Sequence, residues 1–97
     1  MYEILFHPKA DKELAKFDKA LRQEIRDVHL GRIAANPYQV GIPLTGPLKG
    51  YFKYVIKKRG VSYRIVYEIV PSRRQVLILM VGKREGLYER LLRRVKR

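Results

Sequence analysis

The sequence predicts an α+β fold in which a helical hairpin packs on one face of an antiparallel sheet. Three observations support this: a β-favouring run near the start, apolar stripes with helical spacing in the first third, and three strand-like runs in the second half. The predicted order is β-α-α-β-β-β, followed by a short C-terminal helix or tail. The length suits one hydrophobic core, so we expect a single domain over residues 1–97.

The first third combines one strand with two helices. Tyr2 to Phe6 is the β-favouring run, and Pro8 suits the first turn of the helix that follows. Asp18 is placed to N-cap a second helix, which the Asn36-Pro37 pair ends because the residue before proline avoids helical geometry. Apolar residues recur at intervals of three and four along the first helix, and a similar apolar stripe continues along the second. They are Ala10, Leu14, Phe17, Leu21, Ile25, Val28 and Ile33.

The second half contains a loop and then three strands. Residues 36–50 are rich in proline and glycine, which favours a loop, and the strand candidates are Tyr51 to Lys57, Val61 to Val70 and Gln75 to Val81. The third candidate is apolar on both faces, so we expect a central strand that is covered on both sides. Beyond it, Leu87, Leu91, Leu92 and Val95 indicate a basic C-terminal helix or tail.

A two-residue turn at Arg59-Gly60 would fix the pairing of the first two of these strands. It sets Val55 opposite Arg64, which places Lys53, Lys57 and Arg64 on one face of the sheet. We expect this face to be open. The other face becomes the core side, with Phe52, Tyr54, Ile56, Tyr63, Ile65 and Tyr67.

The charge of the chain is strongly positive and unevenly distributed. Lys and Arg number 22 against nine Asp and Glu, a formal net charge of +13. Residues 1–27 hold six basic and six acidic side chains, so the whole excess lies in residues 28–97. An ordinary solvated surface mixes both signs, whereas this pattern indicates an anion-binding face for nucleic acid or an acidic protein. A membrane surface is the weaker alternative.

The composition also excludes several classes of protein. Without cysteine there are no disulfides and no thiolate catalysis or metal binding, and no run approaches the ~20 apolar residues of a membrane span. We therefore expect a soluble, cytoplasmic protein. Residues 28–97 hold only three carboxylates, which is a poor set for Mg²⁺, so we expect neither a metal nor a cofactor. His7 and His29 are better explained by structural roles than as an acid-base pair.

The remaining chemistry belongs to lysine, arginine and tyrosine. Cleavage of RNA through the 2′-hydroxyl develops negative charge on phosphorus, which the guanidinium groups of Arg64 and Arg84 can stabilise. A lysine can take the 2′-hydroxyl proton, and Tyr88 can stack on a base or share in proton transfer. Composition alone does not separate an RNase from an RNA-binding domain.

Three segments resemble the RelE/ParE superfamily of bacterial and archaeal toxins. They are Pro43 to Lys53, Ser62 to Ile69 with its Tyr-Arg-Ile-Val-Tyr sequence, and Val81 to Tyr88 with Gly-Lys-Arg. The opening strand and Pro8-Lys9-Ala10 also fit, so the likeness covers nearly the whole chain. It implies the same fold and an antitoxin partner, which would cover or displace the C-terminal helix unless that helix closes the core.

Likeness to the RelE branch implies an endonuclease that enters the ribosomal A site and cuts mRNA by 2′-hydroxyl attack without a metal. Val55 departs from the family pattern, since a second lysine or arginine is common there, and Lys57 is the candidate to replace it. The catalytic candidates are Lys53, Lys57, Arg64, Arg84 and Tyr88. The RNA-binding candidates are Lys49, Lys58, Arg59 and Lys83. The alternative is a ParE-like inhibitor of DNA gyrase, or an inactive relic that only binds antitoxin.

Overall fold

The computed structural model describes residues 1–96, which form a five-stranded sheet with helices on both faces. The strands are β1 (Glu3–Phe6), β2 (Ile42–Pro43), β3 (Tyr51–Lys58), β4 (Val61–Val70) and β5 (Gln75–Lys83). The helices are α1 (Pro8–Ala15), α2 (Lys19–Glu24), α3 (Leu30–Ala35), α4 (Pro37–Val40) and α5 (Leu87–Val95). A π-helical turn (Ile25–His29) joins α2 to α3, and 3₁₀ turns lie at Gly46–Leu48 and Pro71–Arg73. Within residues 1–96, no helix is long and apolar enough to cross a membrane.

The strand order in the sheet is β1-β5-β4-β3-β2, and three of the four pairings are antiparallel. β1 instead runs parallel to β5, with Glu3 opposite Gln75 and Phe6 opposite Ile78. The predicted α+β fold is confirmed, but the sheet is mixed rather than antiparallel throughout. Most of the chain separates β1 from β5, so no hairpin turn imposes an antiparallel direction on this pair.

The predicted helix boundaries are confirmed by their caps. The Asp18 carboxylate accepts a hydrogen bond from the backbone N–H of Leu21 (3.4 Å), and α3 ends at Ala35, two residues before Pro37. His7 caps α1, because its Nδ1 accepts a hydrogen bond from the backbone N–H of Lys9 (3.1 Å). These caps fix the hairpin that covers one face of the sheet.

The main core lies between this hairpin and the predicted core side of the sheet. Leu14, Ile25 and Ile33 of the helical layer are fully buried against Ile65 and Tyr67 of β4. The Tyr67 hydroxyl donates a hydrogen bond to the carbonyl of Pro37 (2.7 Å), and burial raises the pKa of Tyr67 to about 12. The hydroxyl lies so close to Gly41 that a Cβ at that position would overlap it.

A second core lies on the opposite face, where α5 packs. Leu87 and Leu91 of α5 are fully buried against Val66 and Met80, so the expectation that this face is open is wrong for the part beneath α5. A bulge in β5 contributes: Val66 pairs with Met80 and Tyr67 with Ile78, which leaves Leu79 as an extra buried residue. β5 is thus covered on both sides, as predicted.

One partly buried ion pair holds α5 against the rest of the molecule. The Arg94 guanidinium donates to both carboxylate oxygens of Glu13 in α1 (3.0 and 2.9 Å) and to the carbonyl of Leu79 (2.8 Å). Glu13 also accepts a hydrogen bond from the backbone N–H of Val81 (3.1 Å). The C-terminal helix therefore closes the core, which is one of the two roles expected for it.

Candidate active site

The turn between β3 and β4 fixes the face on which the basic residues lie. Arg59 and Gly60 both have positive φ (52° and 78°), as a two-residue hairpin turn with right-handed strand twist requires. Lys58 pairs with Val61 and Val55 with Arg64, which confirms the predicted register. Because side chains alternate along a strand, Lys53, Lys57 and Arg64 share the face that α5 partly covers.

Three predicted site residues come together beside the first turn of α5. The Lys53 Nζ and the Arg64 Cζ each lie 5.9 Å from the centre of the Tyr88 ring. Both distances fall within the ~6 Å range of cation–π attraction. We call Lys53, Arg64 and Tyr88 the Tyr88 cluster. The burial of Leu87 and Leu91 in the same helix positions the tyrosine over β3 and β4.

Two polar atoms of the Tyr88 cluster have no partner in residues 1–96. The Tyr88 hydroxyl and the Arg64 Nε are buried and make no hydrogen bond there. Buried polar atoms are normally paired, and leaving one unpaired costs about 1–3 kcal/mol. Because both atoms are shielded from solvent, a ligand can accept their hydrogen bonds only after the side chains that cover them move. A phosphate oxygen is a suitable acceptor for the guanidinium N–H.

A cleft of about 290 Å³ adjoins the Tyr88 cluster. Lys53 and Tyr88 form one side, and the loop from Ile42 to Leu48 forms the other, mainly with apolar side chains and Thr45. Ligand pockets usually measure about 300–1,000 Å³, so this cleft suits a single nucleotide. The sequence analysis assigned no site role to the loop residues. The sequence feature that could have pointed to them is the Pro43 to Pro47 stretch. It predicts a loop but does not show which part of the sheet the loop faces.

Arg84 and Lys57 lie farther toward the open end of the sheet. Arg84 is exposed in the loop after β5 and lines a separate cleft with Ser62 and Gly60. Lys57 is exposed opposite Ser62 in the β3–β4 register. Arg84 follows Gly82, the partner of Arg64, by two residues. The structure therefore places Arg84 and Lys57 at the edge of the basic face and outside the Tyr88 cluster.

The four RNA-binding candidates separate into two groups. Lys49 and Arg59 are exposed in turns that flank β3. Lys58 turns toward the helices, where its Nζ donates a hydrogen bond to the Glu24 carboxylate (2.6 Å). Lys83 is exposed and pairs in register with Tyr63, whose ring packs on the helical side. Alternation along the strands thus places Lys58 and Lys83 on the face opposite the Tyr88 cluster.

The histidines have structural contacts away from the Tyr88 cluster. His29 lies 2.8 Å from both the Glu24 carboxylate and the Tyr54 hydroxyl. Hydrogen bonds from Lys58 and His29 hold the pKa of Glu24 below its ordinary value, while burial raises the pKa of Tyr54. These contacts join the π-helical turn to β3 on the helical side of the sheet.

Comparison with known proteins shows that almost the whole chain is similar to toxins of toxin-antitoxin systems. Residues 4–92 match a family described as ParE-like toxin of type II bacterial toxin-antitoxin system. The chain is 33% identical over 84 residues to a putative RelE-like toxin protein of Escherichia coli, covering 87% of this chain and 84% of the relative. It is 29% identical over 101 residues to the mRNA interferase toxin RelE of E. coli K12, covering 97% of each chain.

The fold is also similar to that of a solved toxin structure. The toxin-antitoxin complex RelBE2 from Mycobacterium tuberculosis contains a chain that matches with a TM-score of 0.73 and 30% identity, over 86% of this chain and 91% of that one. Fold and sequence together define a toxin of a type II toxin-antitoxin system. The chain belongs to the RelE/ParE family of these toxins, which confirms the resemblance seen in its motifs.

Proposed function

We propose that this toxin is a metal-free endoribonuclease that cleaves mRNA in the ribosomal A site and so inhibits translation. The observation that carries the proposal is the Tyr88 cluster, which brings a lysine, an arginine and a tyrosine together beside a cleft and holds two buried polar atoms that have no hydrogen-bond partner within residues 1–96. Support also comes from the relative named mRNA interferase toxin RelE, which aligns over 97% of this chain.

The cluster supplies the groups that cleavage through the 2′-hydroxyl needs. The 2′-oxygen attacks phosphorus, the bond to the 5′-oxygen breaks, and the products are a 2′,3′-cyclic phosphate and a 5′-hydroxyl. One group must remove the 2′-hydroxyl proton and another must protonate the leaving 5′-oxygen. The guanidinium of Arg64 stabilises the phosphate, whose negative charge grows as the pentavalent transition state forms.

Geometry favours Lys53 over Lys57 for proton removal. Lys53 lies at the Tyr88 ring beside Arg64 and lines the cleft that suits one nucleotide, whereas Lys57 is exposed farther along the strand. The Tyr88 hydroxyl then faces the leaving group or the base. Arg84, at the edge of this face, holds the neighbouring phosphate.

Dependence on the ribosome follows from how open the site is. The Tyr88 cluster occupies one side of a shallow cleft, and Arg84 and Lys57 lie outside it, so free RNA is not held in one attacking geometry. Orientation of the substrate is worth many orders of magnitude in rate, and a bound ribosome can supply it. The proposed location is accordingly the cytoplasm.

An antitoxin is the second proposed partner. The solved relative from M. tuberculosis is described as a toxin-antitoxin complex. In this chain α5 offers Leu92, which is 40% exposed, next to a surface with a large positive charge. An antitoxin segment with acidic and apolar residues fits that combination, and binding there covers Tyr88.

Primer extension on mRNA in translating ribosomes tests the proposed function. We expect cuts at A-site codons with the wild type, a loss of about 10²–10³-fold in rate for Arg64→Ala, and a loss of at least 10²-fold for Tyr88→Phe. Arg26→Ala, which removes an exposed arginine from the π-helical turn, is the matched control and keeps full activity.

Two outcomes would contradict the proposal. Full cleavage by folded Arg64→Ala would remove the Tyr88 cluster from the mechanism. Intact mRNA with the wild type, together with inhibition of gyrase supercoiling, would favour the ParE-like alternative. Thermal unfolding of each variant confirms that it is folded, which we expect because neither substituted atom has a hydrogen-bond partner within residues 1–96.

A further inference from the structure

A second basic cleft lies on the other side of α5, between this helix and the first turn of α1. Its volume is about 370 Å³, and Lys9, Arg90, Arg93 and Arg94 line it. In the described part of the chain, no acidic or apolar side chain lines it. We propose that this cleft binds a phosphate group of an RNA backbone, as a second contact outside the Tyr88 cluster. That the ligand is RNA rests on the proposed function, whereas the binding of a phosphate group rests on the side chains that line the cleft.

The cleft is assembled from two distant parts of the chain. Arg90, Arg93 and Arg94 have spacings of three and four, so they lie along one side of α5. Lys9 reaches the same cleft from α1, although it belongs to the first quarter of the sequence, in which the charges balance. Positive side chains gathered in one cleft repel each other, so an anion that binds there is stabilised.

Arg94 gives the cleft a fixed wall. Its side chain is only 10% exposed, and its hydrogen bonds to Glu13 and to the carbonyl of Leu79 hold it in place. Lys9, Arg90 and Arg93 are exposed and make no ion pair within residues 1–96. Within residues 1–96 the ion pair in this cleft is that of Arg94 with Glu13, so Lys9, Arg90 and Arg93 keep their charges for a ligand.

Arg90 connects this cleft to the Tyr88 cluster. Its Nη2 lies 3.2 Å from the position that a Cβ would take at Gly82, and Gly82 is the register partner of Arg64. A side chain at Gly82 would push the guanidinium away. An RNA held at Arg64 can thus pass the N-terminal end of α5 and place its next phosphates at Arg90 and in the cleft.

The lining favours RNA over an acidic protein segment. Protein interfaces depend on buried apolar anchors surrounded by polar groups, and this cleft offers only cationic side chains. Guanidinium groups bind phosphate oxygens in pairs and with defined geometry. Such contacts recognise the backbone and carry no information about base sequence.

The test measures binding of a 12-nucleotide 2′-O-methyl RNA, which the toxin cannot cut, by fluorescence anisotropy at several salt concentrations. Lys9→Gln/Arg93→Gln removes two cleft charges and leaves the Glu13–Arg94 pair intact. Lys19→Gln/Arg26→Gln removes two exposed charges from α2 and the π-helical turn and is the matched control. Each phosphate contact on single-stranded nucleic acid contributes about 0.7 to the slope of log Kd against log salt, so the cleft variant, which loses one phosphate contact, loses about 0.7 of that slope. At 0.1 M salt this corresponds to an affinity about 5-fold weaker.

The control variant should keep the wild-type slope, and DNA of the same sequence should show the same loss in the cleft variant. Equal losses in both double variants, or no loss in the cleft variant, would overturn the inference. So would unchanged RNA binding with weakened binding of an acidic peptide. The cleavage assay is independent of the binding assay. If the wild type cuts no mRNA but Lys9→Gln/Arg93→Gln still binds RNA more weakly than the wild type, the proposed function is refuted and the phosphate-binding role of the cleft is not.

Discussion

Replacing Glu13 by glutamine probes the ion pair that holds α5 against the sheet. The Glu13 carboxylate accepts three hydrogen bonds, one from the backbone of Val81 and two from Arg94. Glutamine has a similar shape but only one acceptor oxygen. That oxygen can keep the hydrogen bonds from the Val81 N–H and from Nη1 of Arg94. The amide NH₂ takes the place of the second oxygen, so it and Nη2 of Arg94 are two donors that face each other without an acceptor.

The expected cost follows from what the substitution leaves unpaired. One charge-assisted hydrogen bond is lost, worth about 1.5–3 kcal/mol, and the Arg94 side chain, which is only 10% exposed, loses its counter-charge. Arg94 keeps its hydrogen bond to the carbonyl of Leu79, which reduces the loss of stability. We therefore expect the free energy of unfolding to fall by about 2–4 kcal/mol. For a domain of this size the loss corresponds to a fall in Tm of roughly 10–30 °C.

Urea unfolding followed by circular dichroism measures this loss. Glu85→Gln makes the same chemical change at an exposed loop position and should shift the free energy of unfolding by less than about 0.5 kcal/mol. A double variant with Arg94→Met should recover part of the loss, because no unpaired charge then remains. An unfolding free energy for Glu13→Gln within about 0.5 kcal/mol of the wild type would show that the ion pair does not hold α5.

Two further predictions concern the helical side of the sheet and the hairpin turn. Because Lys58 and His29 lower the folded-state pKa of Glu24, its charge stabilises the protein above pH 4.5, the ordinary value, and this contribution disappears as pH falls through the lowered pKa. The stability difference between wild type and Glu24→Gln in urea unfolding should therefore be full at pH 7 and absent in strong acid; a constant difference would contradict it. Arg59→Asn should raise the free energy of unfolding by about 0.5–1 kcal/mol, because asparagine before Gly60 suits the positive φ of 52°, and a lower urea midpoint would refute this.

The position of the basic face was predictable because it depends on local information. A two-residue turn at Arg59-Gly60 fixes the partner of every residue in β3, and alternation then decides which side chains share a face. Lys53 and Arg64 therefore fell on the same face in the prediction and in the structure. The same rule, applied to Lys58, would have placed it on the other face, but that residue was grouped by charge alone.

The remainder of the site depends on contacts that sequence periodicity does not specify. The spacing of Leu87 and Leu91 shows that α5 has a buried side, but not which face of the sheet it covers. Only the packed helix places Tyr88 between Lys53 and Arg64, and only it draws Lys9 toward Arg93. The bulge at Leu79 in β5 could not be predicted either, because the strand is apolar on both faces and an extra apolar residue does not disturb the pattern.

The parallel pairing of β1 with β5 has a consequence for synthesis. β1 is made first, yet its partner strand ends at Lys83, so at ~5–20 residues per second the strand waits roughly 4–15 s before its partner exists. During that time Ile4 and Phe6 have no sheet to join, and pairing between such distant segments is intrinsically slow. Because α5 and Tyr88 follow β5, the Tyr88 cluster can form only after nearly the whole chain has been made.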